Sequence, residues 1–195
     1  MIVDVLKVDG IEEALLGMGL SYGLTYDKYI RCLKDPKLAA RLTKICVKCA
    51  QRGNGEDKFL RMLQIWADIT APRFWWAEFD TYKVGTVALS ESTMHTLGKR
   101  QLTPEDFETP IEPGYLDTLN SALRSDNAID FNKGMLPEGF LQRRIVNFNY
   151  AVFANMVRQR RNHRLPQWRY FLGNTFYALP MQEFLPPLTE EEGKE

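Results

Sequence analysis

Residues 136–168 read LPEGFLQRRIVNFNYAVFANMVRQRRNHRLPQW, and the order of signals in this stretch decides the fold. Phe140 to Phe148, with Leu141, Ile145 and Val146 among polar neighbours, reads as a strand. Asn149 follows as a helix cap, because its short amide can accept from the free N–H groups of a first turn. The helix it opens carries Val152, Phe153, Met156 and Val157 along one stripe. Pro166 interrupts, and a last helix runs from there to about Ala178.

Upstream, Met1 to Val8 alternates apolar and polar residues and closes on Asp9-Gly10, an opening strand and its turn. Ile11 to Tyr22 has helical spacing, and Thr25 to Leu33 reads as a second short helix. Asp35-Pro36 starts a longer one, Lys37 to Gln51, with Leu38, Leu42, Ile45, Cys46 and Cys49 on one side. Arg52 to Gly55 breaks it. Phe59 to Thr70 fits two readings. Leu63, Ile65, Ala67 and Ile69 alternate like a strand, while Leu60, Leu63 and Trp66-Ala67 fit a helix. Thr70 and Pro72 give a helix-start signal, which predicts a helix from Ala71 to about Tyr82. Its rings, Phe74, Trp75, Trp76 and Phe79, read as core rather than as a stacking platform. Thr103-Pro104-Glu105-Asp106 is a second start signal, with helical or loop-like chain from there to Gly134.

The chain has 195 residues, 45% of them hydrophobic, which is enough for a core. Residues 1–185 read as one domain and 186–195 as a loose acidic tail. Lysine and arginine balance aspartate and glutamate at 25 each, so no global charge draws the protein to nucleic acid or anionic membrane. The basic run Arg158 to Arg164 is too local to change that expectation. No apolar stretch approaches the roughly 18 residues of a membrane span, and no signal peptide opens the sequence, so the expected compartment is the cytosol. Cys46 and Cys49 form a CxxC inside a helix; with Cys32 the only other cysteine and no second ligand pair, they read as structural.

Taken together, the spacings resemble the flavin-dependent thymidylate synthases. That family opens a strand with Arg-x-x-x-Pro and starts the next helix with Asn. A second Asn comes six residues later, an Arg five later again, and then Ala-Gln-Trp-Glu. Lys133, Pro137, Asn149, Asn155 and Arg160 keep those spacings. Gln167-Trp168 follows with one extra residue, so Arg161 competes with Arg160 for the arginine position. In the middle, Ala71-Pro72, Ala77-Glu78-Phe79 and Thr81-Tyr82-Lys83 fall on the family's Ala-Pro, Ala-Arg-Gln-Trp and Arg-His-Arg. Thr86 falls on a serine, and Ser90 to His95 matches Asn-Glu-x-Ser-x-Arg with two residues inserted. Gly55 and Phe59 sit in the flavin-contacting stretch. Ser21-Tyr22-Gly23 resembles the end of the family's first helix.

The resemblance implies an α+β fold, a mixed or antiparallel sheet flanked by helices. It also implies a homotetramer with shared active sites, whose interface would include the helices at Ala71 and Asn149. The implied ligand is a pyrimidine nucleotide such as dUMP, methylated with folate as carbon donor and FAD as hydride source. Lys83, Ser90, Glu91, Ser92, Thr93, Lys133, Arg160 and Arg161 would face the nucleotide, and Tyr82, Asn149 and Asn155 the flavin. The departures are substantial. Thr81 and Tyr82 replace the first Arg and the His of the signature, Glu56 a flavin-side histidine, Arg61-Met62 a Glu-His pair, Ala151 an arginine, and Glu78 a neutral glutamine. A bidentate guanidinium is not reproduced by Thr and only partly by Lys. The expectation therefore has two branches: an altered enzyme, or a nucleotide- or protein-binding module that has lost catalysis. No metal site is expected.

Overall fold

The computed structural model describes residues 1–97, 99–124 and 134–189, with 32–34 and 94 described by backbone alone. Lys133 and 190–195 lie outside the described residues. The opening strand β1 (Ile2–Asp9) leads to helices α1 (Ile11–Leu20), α2 (Tyr26–Lys34) and α3 (Pro36–Arg52). A 3-10 turn, Glu56–Arg61, precedes β2 (Gln64–Pro72) and α4 (Arg73–Phe79). Then come β3 (Thr86–Ser90), α5 (Thr93–Thr96), α6 (Pro113–Leu123) and β4 (Leu141–Asn149). Helices α7 (Tyr150–Arg160) and α8 (Pro166–Ala178) follow, and a 3-10 turn at Gln182–Phe184 closes the described chain.

The four strands form one antiparallel sheet in the order β1-β2-β4-β3. The ambiguity at Phe59 to Thr70 resolves to strand: Ile65, Ala67 and Ile69 are buried in alternation along β2. On β1 the alternation is reset at Leu6, where the register shifts between Val5 and Lys7. That irregularity keeps Val3, Val5 and Val8 on the core side and leaves Leu6 in solvent. Val146 and Phe148 of β4 complete the inner face.

The helix predicted from Ala71 starts two residues later. Thr70, Ala71 and Pro72 stay in the sheet, opposite Arg143, Gln142 and Leu141. Pro72 is the cap, and the first free N–H groups of α4, those of Arg73 and Phe74, donate to the carbonyls of Phe140 and Glu138 (both 3.1 Å). Pairing with β4 therefore outcompetes the Thr-Pro start signal. Thr103-Pro104 opens only a single 3-10 turn, Pro104–Asp106, in which the Thr103 N–H donates to Asp106 Oδ2 at 2.8 Å. The capping geometry is present but the helix does not continue.

The core lies between the sheet and the helices. Trp75 sits at its centre, with the rings of Trp76, Phe79, Trp168 and Phe171 at 5.0 to 5.2 Å. Trp75, Trp76 and Phe79 are interior, as their pattern predicts, while Phe74 packs against the core partly exposed. In α3 the buried positions are Leu42, Cys46 and Ala50, while Leu38 faces solvent. A smaller cluster, Leu102, Phe107, Leu119, Leu136 and Phe140, packs around α6. Among the described residues no helix is long and apolar enough to cross a membrane.

Candidate functional site

Helix α4 aims its rings at the core and turns Glu78 the other way, toward the ends of α7 and α8. One oxygen of Glu78 collects three partners. Its Oε2 accepts from the Trp168 indole N–H at 2.7 Å and from Arg160 Nη1 at 3.2 Å, and His163 Nε2 stands 3.5 Å away. Glu78 and Arg160 are both partly screened from water, with side chains 32% and 21% exposed. The Arg160 guanidinium also lies over the Trp168 ring, 5.0 Å from its centroid.

The network continues beyond Arg160. Its Nε donates to the Tyr82 hydroxyl at 3.0 Å, and that hydroxyl donates to Gln159 Oε1 at 2.9 Å. Gln159 Nε2 then donates to Asn155 Oδ1 at 3.1 Å. Tyr82 is 8% exposed, its ring packed edge-on to Trp168. Of the two competing arginines, Arg160 is the one in this network. Arg161 reaches the other way, to the Pro187 carbonyl at 3.5 Å.

Asn149 caps α7, its Oδ1 accepting from the Val152 N–H at 3.0 Å. The loop after α4 lies against this cap through Gly85. A Cβ there would meet Val152 Cγ2 at 2.9 Å and Asn149 Nδ2 at 3.2 Å, and the backbone adopts φ +80, so only glycine fits comfortably. Lys83, in the same loop, is exposed.

The remaining expected residues lie elsewhere. Ser90 ends β3, four residues from Thr86, about 13 Å along the strand. Ser90, Glu91 and Ser92 are exposed, and Thr93 is buried. Glu91 is held at the sheet by its N–H to the Arg143 carbonyl (2.9 Å) and by Gln142 Nε2 to its own carbonyl (3.2 Å). A hollow of about 260 Å3, of mixed polar and apolar lining, borders Glu91, Arg100 and Arg143. Both arginines already hold carboxylates, those of Asp106 and Asp68. Within the chain, then, Tyr82, Asn155 and Arg160 come together. Asn149 and Lys83 flank the same loop, and Ser90 to Thr93 form a separate group at the far end of β3.

Sequence reasoning missed Arg144. Strand register sets it opposite Ser90, and Nη1 donates to Asp80 Oδ1 at 2.8 Å while the guanidinium covers Trp76 at 4.3 Å. The signal was there: Arg144 falls on the same alternation as the buried Val146 and Phe148. A cation on that face needs a partner. Strand β3 was missed as well, because four of its five residues are exposed and carry no burial pattern.

The side chains that the resemblance assigns to FAD are engaged by the chain itself. The Tyr82 hydroxyl is bonded on both sides, Asn149 Oδ1 serves as a cap, and Asn155 Oδ1 accepts from Gln159. The Asn149 and Asn155 amide N–H groups stay available to a ligand, while the Tyr82 hydroxyl would have to leave Arg160 or Gln159 to meet one. Among the described residues no three histidine, cysteine, aspartate or glutamate side chains gather as a metal site would require.

No family model matches the sequence, and no curated protein matches it. Solved structures do match. The α+β fold is that of the flavin-dependent thymidylate synthases. The flavin-dependent thymidylate synthase of Helicobacter pylori, complexed with FAD and dUMP, superimposes with a TM-score of 0.74 at 14% identity, over 92% of this chain and 94% of that one. A second structure of the same enzyme with FAD and dUMP gives 0.75 at 14% identity, over 93% and 95%. The UMP/dUMP methylase PolB of Streptomyces cacaoi, bound with 5-Br dUMP, gives 0.66 at 10% identity, over 95% and 97%. The fold that the resemblance implied is the fold found.

Proposed function

We propose that this chain is a divergent nucleotide-binding protein on the flavin-dependent thymidylate synthase fold, with a pyrimidine nucleotide such as dUMP as its ligand. One observation carries the reading: similarity over 92 to 95% of the chain to three structures that each hold dUMP or its 5-bromo analogue. The reading takes 1–185 as one domain, in a cytosolic homotetramer that brings Ser90 to Thr93 of one subunit toward the Tyr82–Arg160 region of another. Lys83, Lys133 and Arg161 would supply charge to the phosphate. Ser90, Ser92 and Thr93 would supply hydroxyls, and Glu91 an acceptor for the base edge or ribose. Methyl transfer with folate and FAD is the finer version of this proposal.

The Glu78 network favours a second reading, a binding module without redox catalysis. The arginine that the resemblance gives to the substrate is neutralised by Glu78 and bonded to Tyr82. A guanidinium so held has less charge to offer a developing anion. Calorimetric titration with dUMP, UMP and dTMP, followed by absorbance after incubation with FAD and desalting, separates the readings. Nucleotide binding with a retained flavin band supports the enzyme. Nucleotide binding by colourless protein supports the module. No binding of any of the three nucleotides overturns both nucleotide readings.

A further inference from the structure

Helices α1, α2 and α3 enclose a groove of about 620 Å3 that the nucleotide reading does not use. That volume is within the range of small-molecule sites. Its floor is apolar, built from Leu24, Leu38, Leu42 and Ile45. The floor depends on Gly19, in the last turn of α1: Leu24 folds back so closely that a Cβ on Gly19 would overlap its side chain. Tyr22 and Leu38 leave large apolar surface in solvent, 66% and 48% exposed.

The rim has the opposite character. Lys28, Arg31 and Arg41 line the groove, and no acidic residue does. Lys28 Nζ donates to the Gly23 carbonyl and Arg31 Nε to the Asp27 carbonyl, each at 3.3 Å. None of the three cations forms an ion pair among the described residues. The surrounding chain reinforces the field, because residues 21–52 hold eight Lys and Arg against two Asp in a protein of zero net charge. An inorganic anion would leave the apolar floor wet, and a neutral hydrocarbon would leave the rim unmatched.

We propose that this groove binds an amphiphilic carboxylate, a long-chain acyl anion. Its chain covers Leu24, Leu38 and Ile45, and its head group pairs with Lys28, Arg31 and Arg41. Charge complementarity selects the head, and the floor selects the tail.

Calorimetry on the full chain tests this with dodecanoate kept below its micellar concentration. Dodecyltrimethylammonium supplies the same tail with the opposite head, and acetate the head without the tail. The expected result is one dodecanoate per chain, bound at least tenfold more tightly than the ammonium, with no measurable acetate binding. The triple variant Lys28→Gln, Arg31→Gln, Arg41→Gln should raise the dodecanoate Kd at least tenfold with an unchanged circular dichroism spectrum. Leu38→Gln, at an exposed position, should weaken binding several-fold and serves if the triple variant misfolds. Equal affinity for the two head groups, unsaturable binding, or an unchanged Kd in both variants would overturn the proposal. So would a dimer, seen by light scattering, that Leu38→Gln dissociates and dodecanoate does not, since the groove would then belong to a second copy of the chain.

Discussion

Arg160, near the end of α7, sets Nη1 3.2 Å from Glu78 Oε2 on α4, so two residues far apart in the chain form one charge pair at the centre of the candidate site. Glu78→Gln keeps an oxygen for the Trp168 indole and removes the countercharge. The variant is expected to fold with a loss of about 1 kcal/mol in urea unfolding. It should also bind dUMP roughly tenfold more tightly, because the released guanidinium gains a dianionic partner. Unchanged dUMP affinity would take Arg160 out of the nucleotide reading.

Asp68 gives the chain an acid-sensitive contact. Arg143 Nε donates to its two oxygens at 2.9 and 3.0 Å across the β2–β4 pair. That hydrogen bond, opposed by burial and aided by the arginine's charge, holds the carboxyl below its ordinary 3.8. A carboxyl lowered in the folded state stabilises fully above its unfolded value, and the contribution is lost as pH falls through the folded value. Urea midpoints measured from about pH 6 down to about pH 2 should therefore drop below the ordinary carboxylate range. Asp68→Asn should be less stable at neutral pH and show a shallower drop. A wild-type curve no steeper than the variant's would remove this pair from the account.

The CxxC thiols should be poor nucleophiles. Burial pushes Cys46 up to about 11. Cys49 is also raised, by burial first and then by the Glu56 carboxylate. The thiolate is the reactive form. Alkylation of Cys46 at pH 8, located by peptide mass spectrometry, should be at least about tenfold slower in native than in urea-unfolded protein. Rapid labelling with the fold intact would contradict the structural role.

Thr175, in α8, is completely buried, and its hydroxyl has no hydrogen-bond partner among the described residues. Valine has nearly the same shape without the unmet polar group. Thr175→Val should raise stability by about 1 kcal/mol, read as a higher thermal midpoint. A lower midpoint would mean that the hydroxyl is satisfied.

Much of this fold was legible because its signals are local. Asn149 announces α7 and Pro166 announces α8, while the alternation of Ile65, Ala67 and Ile69 left strand and helix open until β1 and β4 were seen on either side of it. Failures came where a distant partner decides. Nothing near Thr70 reveals that Arg143 lies opposite it and that Gln142 and Leu141 hold Ala71 and Pro72 in the sheet. Strand β3 exists because β4 supplies a paired edge, while Val87 and Leu89 are 64% and 74% exposed and give no inward face to read. At the candidate site the residue types were legible and their engagement was not. Substitution of a neutral position by Glu78 was visible, but that it captures Arg160, Trp168 and His163 together depends on how three helices meet.

The central pairing of the sheet also sets a timetable. Strand β2 must find β4 in a register running from Gln64 opposite Asn149 to Pro72 opposite Leu141, with α4, β3, α5 and α6 threaded between them. Closing so long a loop costs entropy before any ladder bond compensates. The early, local material is helical, and the sheet forms last and slowly. Until β4 is made, β2 has only β1 to pair with and its other edge stays open, so a freshly made chain is most exposed to aggregation before Leu141 to Asn149 have been synthesised.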